Sequence, residues 1–171
     1  MPKRSAIVEY DDRWIINPLR HCACTGIDLE AGAAVLRFES GFVLRTSAGA
    51  ELSARSVSGG AADRHPLDFW SREDAARNLS SAVVSPVFFK KGSLRLGFAN
   101  GWNVFVSPSK PDVPAELWHE ERLVWSRAGL VDEVPFPVVQ IDRWTGEEIT
   151  APPWPERPAE LDLGSSDDIN G

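Results

Sequence analysis

Hydrophobic and polar residues alternate along residues 92–106, on both sides of the dipeptide Asn100-Gly101. Alternation with a period of two is typical of a half-buried antiparallel strand. Asn-Gly is common in two-residue hairpin turns, because both of its positions accept a positive φ. The stretch therefore predicts a β-hairpin, and the apolar residues of its buried face are Leu94, Leu96, Phe98, Trp102, Val104 and Val106.

A similar pattern occurs sixty residues earlier in the chain. Without a gap, Phe38 aligns with Phe98, Gly41 with Gly101, and Ile27 with Val87. The apolar positions keep their parity, on which strand register depends. We expect two repeated antiparallel three-stranded meanders packed together, at about residues 19–46 and 79–106, with chance similarity between two hairpins as the alternative.

Shorter signals complete the predicted fold, which is mainly β (β-rich α+β). Residues 13–16 predict a strand that Asn17-Pro18 ends, because proline lacks a ladder donor. Ser71 and Asp74 predict the capped start of one short helix between the meanders. Residues 115–126 predict two strands joined at Glu120-Glu121-Arg122, with a helix as the alternative, and residues 134–141 predict an edge strand.

The two ends of the chain differ from this middle part in composition. Residues 1–12 have little to bury and predict a flexible arm, whereas residues 13–149 predict a single β-rich domain. Residues 150–171 are rich in proline, Glu and Asp, and this composition predicts a disordered acidic tail.

The charge of the chain is uneven. The 171 residues have a net charge of −7, and residues 111–171 contain 4 Lys/Arg against 14 Asp/Glu. Such a chain is a poor general nucleic-acid binder, and its electrostatic complement is a basic protein partner. The alternative is that these acidic residues only solvate a surface. No apolar run reaches the roughly 20 residues of a membrane span, so we expect no membrane association and a cytoplasmic location.

Three potential metal ligands, His21, Cys22 and Cys24, lie close together in the sequence. A closed zinc site needs four ligands that converge from separated pairs, and the chain has no second cysteine pair. In the ungapped alignment the two cysteines match Ala82 and Val84. We therefore expect buried, reduced thiols and neither a metal nor a cofactor.

Motifs of catalysis are missing from the sequence. It has no G-x-S-x-G elbow, phosphate-binding loop or dinucleotide fingerprint. The acidic pairs are adjacent residues, which point to opposite faces of a strand and do not converge on one cleft. We therefore assign no catalytic residue and expect a protein that is not an enzyme.

The seven tryptophans are many for this length, and most are expected in the core. Trp144 and Trp154 lie in the proline-rich C-terminal region and are expected to be exposed. Exposed tryptophans beside acidic residues often anchor protein interfaces.

The stretch from Gly92 to Pro108, with the similar unit before it and Ala115-Glu116-Leu117-Trp118 after it, resembles small bacterial β-rich families of unknown function. Some of these families resemble immunity proteins of polymorphic-toxin systems. The resemblance covers about residues 14–126 and implies a non-catalytic protein that binds and blocks a partner such as a toxin.

Two functional hypotheses follow. The first is a protein-binding module that uses acidic and aromatic residues of the C-terminal third: Glu116, Trp118, Glu120, Glu121, Trp125, Asp132 and Glu133. The second is a small-molecule-binding or enzymatic β domain with a cleft between the meanders, where His119, Glu116 and His65 would meet.

Overall fold

A computed structural model of the chain describes residues 6–30, 32–47, 49–54, 64–108, 114–142 and 144–149. Within these ranges the protein is mainly β, which confirms the predicted fold class. The elements in chain order are β1 (Ile7–Glu9), β2 (Arg13–Ile16), β3 (Cys24–Glu30), β4 (Ala33–Phe38), β5 (Phe42–Ser47), β6 (Glu51–Ser53), β7 (His65–Pro66), α1 (Arg72–Asn78), β8 (Val83–Phe89), β9 (Leu94–Phe98), β10 (Asn103–Val106), β11 (Ala115–His119), β12 (Arg122–Ser126), β13 (Gly129–Leu130) and β14 (Val138–Gln140).

The strands of the described residues form two sheets. The first has eight strands in the order β14-β1-β2-β8-β9-β10-β6-β7, and the second has six in the order β13-β12-β11-β5-β4-β3. All strand pairs are antiparallel except β1 with β14. One hydrophobic core joins the sheets, where Phe38 stacks on Phe98 with ring centres 6.4 Å apart.

The predicted hairpin is strands β9 and β10, and its buried face is confirmed. Leu96 lies opposite Val104 and Leu94 opposite Val106, and all four side chains are buried. The turn is longer than predicted, because Phe98 donates its N–H to the Trp102 carbonyl and residues 99–101 form a three-residue loop. In such loops only the last residue needs a positive φ, and here it is Gly101 with φ +95°.

Both predicted meanders are present, as β3-β4-β5 and β8-β9-β10. Their pairing registers differ from the ungapped alignment in the first strand of each. Leu36 lies opposite Ile27, but Leu96 lies opposite Pro86 rather than Val87. The cause is a first turn that is one residue longer in the second meander. The origin of the two units as a repeat stays a prediction.

Each meander pairs with a short strand from the other half of the chain. Strand β6 follows the first meander but pairs with β10, placing Leu52 opposite Val104. Strand β11 follows the second meander but pairs with β5, placing Leu117 opposite Leu44. The two halves of the chain therefore exchange strands.

The N-terminal segment differs from the prediction of a flexible arm. Strand β1 lies inside the eight-stranded sheet, with Ile7 opposite both Ile16 and Val138. Ala6, Ile7 and Val8 are buried in this position. The prediction is therefore wrong for residues 6–9, whose order comes from strand partners rather than from their own pattern.

The remaining predicted elements are largely found. Ser71 caps α1, since its hydroxyl oxygen accepts the Asp74 N–H at 3.0 Å. Residues 115–126 form the two predicted strands, and β14 lies at the edge of its sheet. No helix of the described part is long and apolar enough to cross a membrane. The predicted acidic tail lies outside the described residues.

Candidate functional site

Glu120 and Glu121 form the turn between β11 and β12. His119 pairs directly with Arg122, so the loop contains only these two glutamates. Both have a left-handed backbone, with φ +49° for Glu120 and +69° for Glu121. This is the type I′ geometry, which favours Asn and Gly because other L-residues are strained there. Both side chains are exposed.

A second turn lies against the first. Residues 39–41 join β4 to β5, and the Glu120 N–H donates to the Gly41 carbonyl at 3.0 Å. Gly41 has φ +84°, and a Cβ on it would lie 3.0 Å from Cγ of Glu120. Only glycine fits this contact without strain. Glu39 of the second turn is also exposed, so three glutamates lie on two adjoining turns, here called the acidic end: Glu39, Glu120 and Glu121.

Aromatic side chains support the acidic end from within. The ring centre of Phe42 lies 4.6 Å from the ring centre of His119 and 5.8 Å from that of Phe136. The segment before Phe136 starts at Val131, which donates its N–H to the Val124 carbonyl. Asp132 and Glu133 are exposed on this segment, which follows β13 and leads to the aromatic cluster. Glu120 and Glu121 thus form the turn, and Asp132 and Glu133 lie on the segment that leads to Phe136 next to it.

Glu116 and Trp118 occupy the outer face of the six-stranded sheet. Both are half-buried, while Leu117 between them points into the core. The Trp118 indole donates to Oε1 of Glu116 at 3.0 Å, and the Arg45 guanidinium lies 5.0 Å from the Trp118 ring centre. The carboxylate of Glu116 is therefore already engaged within the protein.

Trp125 is not an exposed interface residue. It is fully buried, and its ring centre lies 4.9 Å from the ring centre of Phe88 in the other sheet. It pairs with Leu117 on β11, so it shares the core-facing parity of that strand. The prediction that Trp125 belongs to an interface is wrong because this residue joins the two sheets.

Trp144 is exposed, as the sequence predicted, with 81% of its surface accessible. Trp144 was not among the predicted interface residues. Its position after the edge strand β14 and beside Glu147 and Glu148 was the available signal. Trp154 lies outside the described residues.

The residues of the predicted cleft are not brought together. Glu116 and His119 are three positions apart on β11 and so have opposite parity, and His65 lies on β7 of the other sheet. Two shallow grooves, of about 480 and 410 Å³, open beside β2 and share Arg13. Their lining residues are Tyr10, Asp12, Arg13, Ile15, Arg20, Phe89, Lys90 and Lys91, with none of the three cleft residues among them.

Cys22 and Cys24 are buried free thiols, as predicted. Burial raises the pKa of the Cys24 thiol to about 11 and also raises the pKa of Cys22. Among the described residues, no group of three His, Cys, Asp or Glu side chains is arranged to hold a metal ion. The buried thiols thus contribute to packing between β3 and its surroundings.

The fold and the acidic end define a two-sheet, mainly antiparallel β protein with a strained, negatively charged turn on its surface. Comparisons with protein-family models, with curated protein sequences and with solved structures found no match. The resemblance to immunity proteins stays a prediction.

Proposed function

We propose that this chain is a non-catalytic protein-binding module that binds and neutralises a basic partner, in the manner of an immunity protein. The observation that carries the proposal is the acidic end, where Glu120 and Glu121 fill both positions of a type I′ turn. The proposed contact residues are the exposed carboxylates of that region: Glu39, Glu120, Glu121, Asp132 and Glu133.

Backbone strain at this turn supports a functional role. A residue with a Cβ costs roughly 1–2 kcal/mol in the left-handed region, and two adjacent glutamates also repel each other. Asn-Gly would relieve both effects without changing the hairpin. Strained residues of this kind cluster at functional sites, where the surrounding structure holds them in place. Here the Gly41 carbonyl and the aromatic cluster of Phe42, His119 and Phe136 do so.

Charge supports a basic partner rather than an acidic one. The exposed carboxylates of the acidic end have no cation within ion-pair distance among the described residues. A like-charged partner would be repelled, whereas a basic one is attracted during approach. At physiological salt this attraction is screened beyond about 8 Å. The association rate should therefore fall as salt rises, with a smaller change in dissociation.

The test uses the purified product of the gene adjacent to this one in the source genome. Association and dissociation rates are measured by biolayer interferometry at several salt concentrations from low to physiological. The two proteins compared are the unchanged chain and the double variant Glu120→Lys with Glu121→Lys. We expect the double change to weaken binding by several kcal/mol, mainly through slower association.

A matched control reverses two charges elsewhere. Glu30 and Glu73 are both exposed, and Glu30 lies at the opposite end of β4 from the acidic end. Changing both to lysine alters the net charge by the same amount, so we expect little effect on binding. Equal losses for the two double variants would show a net-charge effect and remove the acidic end as the site. Absence of binding by the unchanged chain would refute this function for that partner.

A further inference from the structure

We propose that Trp144 is the aromatic anchor of the partner interface, and that its indole enters an apolar pocket whose rim carries Lys or Arg side chains. This inference rests on the proposed function, because it names a second contact of the same protein-binding module. Three observations carry it: the hydrogen-bonded turn that contains Trp144, the exposure of its side chain, and two exposed carboxylates in the same hairpin.

The turn that presents Trp144 is held by its own hydrogen bonds. Oδ1 of Asp142 accepts the N–H of Trp144 at 2.8 Å and that of Thr145 at 3.2 Å. Gly146, with φ +75°, donates to the Asp142 carbonyl at 2.7 Å, and Asp142 donates to the Glu147 carbonyl at 2.9 Å. These hydrogen bonds restrain the backbone of Trp144 before any partner binds, which lowers the entropy lost on binding.

The exposure of Trp144 is unusual for this fold. Its 81% accessible surface is the largest among the exposed large hydrophobic residues of the described ranges, ahead of Phe69 at 61%. A tryptophan offers one of the largest apolar surfaces of any side chain, and burying it is strongly favourable. Tryptophan is also enriched among residues that dominate binding energy at interfaces. Trp144 therefore offers a large exposed apolar surface to a partner.

The surroundings of Trp144 indicate the chemistry of the pocket. Glu147 and Glu148 are exposed in the same hairpin, which the Ile141–Glu148 bridge closes. An indole binds in an apolar pocket, and these two carboxylates pair with basic groups of the partner at the edge of that pocket. Glu147 and Glu148 would repel a hydrophobic pocket whose rim carries acidic side chains.

The position of Trp144 is compatible with one interface that also covers the acidic end. Phe136, which packs under the acidic end, precedes β14, and Trp144 follows β14. The extended chain from Pro137 to Ile141 spans about 13 Å at the usual rise per residue. A standard interface buries about 800 Å² on each partner, which is wide enough to include both regions.

The experiment measures binding of the same purified gene-neighbour protein to Trp144→Ala, Trp144→Phe and Phe69→Ala. Phe69 is the matched control, because it is an exposed aromatic residue at the far edge of the eight-stranded sheet. We expect Trp144→Ala to raise Kd by about 100-fold, mainly through faster dissociation and independently of salt. Trp144→Phe should restore part of the affinity, and Phe69→Ala should leave it unchanged.

The results separate the two proposals. If the unchanged chain and Trp144→Ala bind with the same Kd, the anchor is refuted while the proposed function stands. If the unchanged chain does not bind, both are refuted for that partner. A lower melting temperature of Trp144→Ala that accounts for its loss of binding would also overturn the anchor, because an exposed side chain should leave stability unchanged.

Discussion

Replacing the strained turn by its ideal sequence should stabilise this protein. The change is Glu120→Asn combined with Glu121→Gly, which places Asn-Gly in the two-residue loop between β11 and β12. Asn tolerates the left-handed region better than Glu does, and Gly is not strained there at all. The hydrogen bond from the backbone N–H of residue 120 to the Gly41 carbonyl is kept, since it uses no side chain.

The magnitude follows from the two φ values of +49° and +69°. Strain of roughly 1–2 kcal/mol at each position is largely relieved. Glycine loses more chain entropy on folding, which offsets about 0.5–1 kcal/mol of the gain. We expect a net increase of about 1–3 kcal/mol in the free energy of unfolding. For a chain of this size each kcal/mol raises Tm by roughly 2–4 °C, so the shift is about 2–12 °C.

Urea and thermal denaturation measure this gain. The slope of the free energy of unfolding against urea concentration should stay the same, because the surface exposed on unfolding does not change. Glu120→Gln with Glu121→Gln is the control that removes both charges and keeps both side-chain stems. If this control gains as much stability, charge repulsion rather than backbone strain is the cause. An unchanged or lower Tm for the Asn-Gly variant would refute the strain argument, and the proposed function requires that variant to bind its partner less tightly.

Other substitutions test the core, the adjoining turn and the buried thiols. Phe98→Ala should lower the free energy of unfolding by about 3–5 kcal/mol, and an unchanged urea midpoint would contradict its core position. Gly41→Ala combines φ +84° with a 3.0 Å approach to Cγ of Glu120 and should cost at least about 1 kcal/mol in the same assay. Burial raises the pKa of Cys24 from its ordinary value of 9.0 to about 11. The folded state therefore favours the neutral thiol, and about 2–3 kcal/mol of stability should be lost as pH rises from 9 to 11. In thermal melts, Cys24→Val should lose less stability between pH 9 and pH 11 than the unchanged chain does. An equal loss of stability in both proteins would refute the raised pKa of Cys24.

The sequence was sufficient to predict local structure where one residue pattern determines it. Alternation along residues 94–106 predicted the hairpin, and Ser71 with Asp74 predicted the start of the helix. Strand β1 was missed, because its three residues show no pattern and pair with β14 about 130 positions away. The exchange of β6 and β11 is equally non-local. A signal did exist, since Ala50-Glu51-Leu52 and Ala115-Glu116-Leu117 repeat a tripeptide whose leucines pair with Val104 and Leu44.

The candidate site could be predicted only in part. Charge counting placed the acidic residues in the C-terminal third, and a junction at Glu120-Glu121-Arg122 followed from the two flanking strands, although Arg122 itself pairs with His119. The positive φ values did not follow, because glutamate carries no preference for the left-handed region. The neighbouring Glu39 was missed because it is 81 positions from Glu120 and meets it only through pairing of β5 with β11. Trp125 was misassigned because parity alone does not show which face of a hairpin is covered.

The exchange of strands β6 and β11 between the two halves of the chain affects how the protein folds during its synthesis. The first meander is complete at Ser47, but the strand that covers its edge begins at Ala115, 68 residues later. At a synthesis rate of about 5–20 residues per second, the open edge of β5 waits roughly 3–14 s for its partner. An unpaired edge invites pairing with other chains during that interval. Slower translation should therefore lower the soluble yield, and a chaperone that shields nascent strands should restore it.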